Sequence, residues 1–141
     1  MSYTNLNIEL HFNQYNGSMA VEIHTNQGLV TSLSNQTGVV QINHSMIFPN
    51  TVKFILTNKN PNTDTKVIDG KIVADKNVQL TNLIIGNIPV ESHKLFNICN
   101  YTYSDQTTIN PFWAFNGIVT INFDVDNFIL WHLKLDNKFN I

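Results

Sequence analysis

Arginine is absent from the 141 residues, and all eight cationic side chains are lysines. Without a guanidinium fork there is no bidentate contact to phosphate or guanine, and a formal net charge of -2 provides no basic field. Nucleic acid is therefore not an expected partner. No apolar run reaches the length of a bilayer-crossing helix, so no membrane role is expected either. Cys99 is the single cysteine, which rules out an intramolecular disulfide and leaves the fold to its core, with a buried, inert thiol as the default. The opening MSYTNLNIELHF lacks a basic region followed by an apolar one, so no signal peptide is expected and the chain is expected to be made in the cytoplasm. Catalytic signatures are also missing. There is no G-x-S-x-G, no H-E-x-x-H, no phosphate-binding glycine loop and no Cys/His motif of known spacing, which points away from an enzyme.

What the chain does have is 43% hydrophobic and 11% aromatic residues, enough for one packed core over a single domain, residues 1–141. Asparagine is abundant, at 22 residues. Such a surface of uncharged amides suits neutral polar ligands such as sugars, although an AT-rich coding sequence yields many Asn and little Arg by itself. Gly and Pro punctuate short apolar runs, which predicts an all-β fold: an antiparallel β-sandwich or jelly roll of about eight strands with at most one short helix.

Residues 5–12 alternate strictly, with Leu6, Ile8, Leu10 and Phe12 on one face. Met19, Val21 and Ile23 repeat the pattern, and Asn16-Gly17 between them suits a two-residue type I′ hairpin turn. That register pairs Phe12 with Val21, Leu10 with Ile23, His11 with Glu22 and Glu9 with His24. Further strands are expected near 28–33, 38–43, 51–57, 77–86, 117–125 and 129–135. The last two would form a hairpin, with Trp131 in the core. A helical turn is expected within 91–98, with Ser92 available as its cap.

Three groups of residues have chemical potential. The His11, Glu22, Glu9 and His24 set matches zinc donors, but equally ordinary cross-strand ion pairs. In NKNPNTDTKVIDGK, the side chains of Asn60, Asn62 and Asp64 alternate oxygen donors as calcium loops do, with Asp69 and Asp75 close by. A calcium site built from these five is one expectation; an Asx-rich loop capping its own turns is the other. Third, Tyr101, Tyr103, Trp113 and Asn116 surround an aromatic segment, NPFWAFNG, fit either to stack on sugar rings or to anchor a protein interface. The expected partner is thus a glycan or a neighbouring protein, and a homo-oligomer is compatible with both.

With these residues in view, the stretch of residues 64–90 together with residues 112–123 resembles small virion-associated proteins of tailed marine bacteriophages. The elements that carry the likeness are Asp64-Thr65, Asp75-Lys76, and Trp113 with Asn116-Gly117; Ala114 departs from it, standing where glycine is expected. The resemblance implies a compact β-sandwich displayed on a virion, similar in form to carbohydrate-binding modules and to jelly-roll domains that decorate capsids and tails. A glycan-binding virion protein is the leading expectation, and a structural subunit contacting other virion proteins is the alternative.

Overall fold

The computed structural model describes residues 3–138. Strand β1, Tyr3–Asn13, buries Leu6, Ile8, Leu10 and Phe12 on its inner face, as its period of two requires. It lies between β8, Asn77–Ile85, and β4, Gly38–Ile47, and β8 continues outward to β12, Phe112–Trp113. A two-residue strand, β9 at Ile88–Pro89, also pairs with β8. The second sheet runs in the order β11 (Gln106–Ile109), β10 (Asn100–Tyr103), β13 (Gly117–Phe123), β5 (Asn50–Thr57), β2 (Ala20–Thr25), β3 (Gly28–Leu33). All pairings are antiparallel, and the inner faces bury one core between them. Two strands stand outside both sheets: β6, Thr65–Ile68, and β7, Lys71–Asp75, pair only with each other.

The expected β-sandwich is therefore present, but two pairings differ from expectation. Asn16 and Gly17 do take positive φ, 59° and 89°. They do not close a hairpin. β1 pairs with β4 and β8, while β2 pairs with β3 and β5, so Phe12 and Leu10 enter the core from one sheet and Val21 and Ile23 from the other rather than pairing along a ladder. The physical reason is that a turn dipeptide sets local dihedrals and not the partner strand. Two strands with apolar inner faces bury them equally well in opposite sheets. The same separation moves His11 and Glu9 to one outer face and Glu22 and His24 to the other, so the four-residue zinc set is not assembled. Glu22 instead pairs with His24 on its own strand, at 2.9 Å.

Residues 129–135 are the second correction. They lie in a helix, α2, Phe128–Asn137, and not in a strand paired with β13. Asn127 is its cap: in extended geometry, its side-chain oxygen accepts from Leu130 N at 3.0 Å. Trp131, His132 and Leu135 are buried at helical spacing, while Ile129 and Leu133 are exposed. Trp131 is thus in the core by a different route. A first helical turn, α1, forms at Ser92–Leu95, but Ser92 is inside it; Glu91 occupies the cap position without a side-chain cap bond.

Candidate functional site

The aromatic segment forms one wall of a cleft. β10 and β11 form a hairpin at the edge of the second sheet, and the 110–116 segment that follows contributes β12 to the first sheet before the chain returns to β13. Between them lies a cleft of about 240 Å³ lined by Tyr101, Tyr103, Thr108, Asn110, Phe112, Ala114 and Phe115. Phe112 is 38% and Phe115 41% exposed, and the Tyr103 ring stacks on Phe115 with centroids 5.1 Å apart and planes 14° from parallel.

Of the four residues expected to touch a ligand, the structure brings only Tyr103 to the cleft as an accessible ring. Trp113 is 0% exposed, lies 5.1 Å from the Phe54 ring and donates its indole N–H to Asn110 O at 2.7 Å. Its indole is core and has no face for a sugar. Tyr101 is 2% exposed, and its hydroxyl bridges the Phe115 peptide: it donates to Phe115 O at 2.5 Å and accepts from Phe115 N at 2.9 Å. Burial pushes the Tyr101 phenol up to about 12, against the smaller opposite effect of that backbone bond. Asn116 is committed to the backbone of Lys59, accepting from its N–H at 3.0 Å and donating to its carbonyl at 2.9 Å. These three are supports that hold the ring of Phe115 and its loop in place. Gly117 belongs with them, because a Cβ there would fall 2.3 Å from Thr102 O and 3.0 Å from the Tyr103 Cβ.

Phe112, Phe115, Thr108 and Asn110 complete the cleft. The signal for Phe112 and Phe115 was in the sequence, as aromatics one residue before and two residues after Trp113. A strand places alternate side chains on opposite faces, so burying Trp113 turns its neighbour Phe112 outward.

The five proposed calcium donors are not all brought together: Asn60, Asn62 and Asp64 share one turn, but Asp69 stands apart from them. Asp69 sits at the tip of the β6–β7 hairpin with φ of 53°, while Asp64 and Asp75 flank its base. Both base carboxylates already have cations. Lys59 Nζ, on a side chain 1% exposed, donates to Asp75 at 2.5 Å, and Lys76 Nζ, on a side chain 4% exposed, lies 3.1 Å from Asp64. Backbone N–H of Asn60 at 2.8 Å, then Lys76, holds the Asp64 carboxyl below its usual value. For Asp75, burial acts upward, but Lys59, Thr65 and the Lys76 N–H outweigh it and the net shift is downward. Asn60 caps its own turn by accepting from Asn62 N at 3.0 Å. The residues present do not fit a calcium ion: two ammonium groups stand where a cation would bind. Among the described residues no group of three or more His, Cys, Asp or Glu side chains converges.

Two solved structures resemble this chain. One is described as vCBM60 in complex with galactobiose, with a TM-score of 0.56 at 12% identity, covering 84% of this chain and 97% of the other. The fold is carbohydrate-binding-module-like. The second is a selenomethionine form of vCBM60, from work linking two families of calcium-dependent carbohydrate binding modules by circular permutation, with a TM-score of 0.53 at 13% identity, covering 84% and 90%. At these identities the likeness concerns the fold. No protein-family model matches the sequence, and no curated protein matches it significantly.

Proposed function

We propose that this protein is a non-catalytic module that binds a neutral glycan in the cleft between the β10–β11 hairpin and the 110–116 loop. One observation carries the reading: the rings of Tyr103, Phe112 and Phe115 are gathered with the hydroxyl of Thr108 and the amide of Asn110 in a single cleft. A sugar ring presents C–H groups on one face and hydroxyls at its edge, which matches aromatic faces beside hydrogen-bonding groups. The Thr108 hydroxyl and the Asn110 amide nitrogen have no partner among the described residues, so both are available to a ligand. The fold shared with a module whose solved complex contains galactobiose supports the same class of ligand. Because the Asp64 loop is closed by lysines, binding is expected to be independent of calcium.

A glycan array probed with the purified protein, with and without chelator, tests this. The expected result is a hit that survives chelation and weakens about five- to tenfold in Tyr103→Ala or Phe115→Ala, from the loss of about 1 kcal/mol of ring contact. A blank array sinks the reading.

A second reading has its own observation. Val67, Ile68, Ile72 and Val73 are all exposed on the β6–β7 hairpin, whose outer edges are unpaired. Apolar side chains on an open strand pair favour contact with another protein, as in a virion decoration or tail subunit. Sedimentation of wild type against Val67→Lys/Ile72→Lys separates the two, since self-association through this hairpin would disappear in the variant.

A further inference from the structure

The outer face of the first sheet carries side chains that neither the core nor the cleft uses. β1 directs Asn7 and Glu9 outward; the register sets Asn43 and Gln41 of β4 on one side and Ile84 and Asn82 of β8 on the other. These side chains line a groove of about 230 Å³. Glu9 is held at its centre, accepting from Gln41 Nε2 at 3.2 Å and from the Thr81 hydroxyl at 2.9 Å. By contrast, the side-chain amides of Asn7, Asn43 and Asn82 make no hydrogen bond among the described residues. Each therefore offers two donors and an acceptor.

Asparagine is a poor strand former, and threonine or valine would serve a purely structural face better. Three unpartnered Asn side chains on adjacent strands break the local preference with no compensating contact, and such conflicts concentrate at functional surfaces. The chemistry of the groove narrows the occupant. With no cation it does not suit an anion, and with polar residues at five of its seven lining positions, beside Ile8 and Ile84, it does not suit a hydrophobic peptide. Hydroxyls that donate and accept at once suit it fully.

The cleft and the groove lie on the same sheet, at β12 and at β8, β1 and β4. Phe112 pairs opposite Gln79 of β8, and Gln79 lies opposite His11 of β1, so the exposed Phe112 ring stands on the same sheet face as the outward side chains of β8 and β1. From Gln79 to Asn82 is three residues, roughly 10 Å along the strand. We propose that this face is a second subsite, along which an extended neutral polysaccharide lies after leaving the aromatic cleft. The protein then recognises the interior of a long chain rather than a terminal sugar. This rests on the reading of the domain as a glycan-binding module.

The test compares soluble galactan, xylan, mannan and glucan with their disaccharides, by calorimetry and affinity electrophoresis. The variant is Asn7→Thr/Asn43→Thr/Asn82→Thr, which keeps strand propensity and is expected to melt no lower than wild type. In wild type, a polymer should bind at least tenfold more tightly than its disaccharide. That advantage should collapse in the threonine variant, while Tyr103→Ala weakens polymer and disaccharide alike. If the threonine variant keeps the polymer advantage, the subsite is refuted and the module reading stands. If wild type binds none of the probes, the module reading fails and the subsite fails with it.

Discussion

Replacing Trp113 by alanine separates a ligand platform from a core anchor. The indole has no exposed surface, contacts the Phe54 ring at 5.1 Å and donates a 2.7 Å hydrogen bond to Asn110 O. Truncating a buried aromatic removes its transfer free energy and leaves a cavity, together about 3–5 kcal/mol. The lost hydrogen bond adds about 1 kcal/mol at most, because Asn110 is only half-buried. About 4 kcal/mol is therefore expected, against a total of roughly 5–15 kcal/mol for a domain. At roughly 3–5 °C per kcal/mol for a chain of this length, the Tm should fall by about 12–20 °C. Circular dichroism melts and urea titration measure it, with Trp113→Phe as a control that keeps most of the volume and loses the N–H. A drop of only about 3 °C, combined with lost glycan binding, would show that the indole faces a ligand and that the core assignment is wrong.

Lys59→Met should destabilise the protein by about 2 kcal/mol, less than for a fully buried pair because Asp75 keeps its bonds to Thr65 and to Lys76 N–H; chemical denaturation reads this directly. Acid should loosen the base of the β6–β7 hairpin. Asp64 and Asp75 have folded values below the ordinary 3.8, so their stabilisation is complete above that pH and is lost as pH falls through the folded values; hydrogen exchange along β6 and β7 against pH should show it. Gly117→Ala should lower the Tm by several degrees and weaken cleft binding, because the added methyl would displace β10 through Thr102 O; a neutral effect on both would contradict the close approach of these strands.

Strand content was legible wherever alternation was strict and the ends were marked. The expected strand at 28–33 coincides with β3, and the alternation of residues 5–12 lies within β1. Partner choice was not legible. β1 finds β8 about 70 positions along the chain, and only the packed core decides that pairing. The α2 segment failed for a different reason. Ile129, Trp131, Leu133 and Leu135 alternate, yet Phe128, Trp131, His132 and Leu135 satisfy a helix equally well, and over eight residues periodicity alone does not separate the two. Asn127 was the deciding signal, since its side chain caps the helix. β10 and β11 were missed because their threonine and tyrosine residues alternate only weakly in hydrophobicity.

The site was legible as a region and not as a set of roles. Asp and Asn oxygens at alternate positions resemble a metal loop only while the lysines that flank them are ignored. Lys59 directly precedes Asn60 and Lys76 directly follows Asp75, and once buried, a lysine requires an anion as surely as a calcium ion does. Lys59 then acts on both structures at once. Its backbone N–H and carbonyl bind Asn116, fixing the loop that carries Phe115, while its ammonium binds Asp75 at the hairpin base and lies 5.4 Å from the Phe115 ring centroid. The aromatic wall of the cleft is thereby held by a buried side chain of the protein itself. Under the proposed glycan-binding reading, a cleft organised in this way would be formed before any ligand or ion arrives, which lowers the entropy lost on binding a flexible chain.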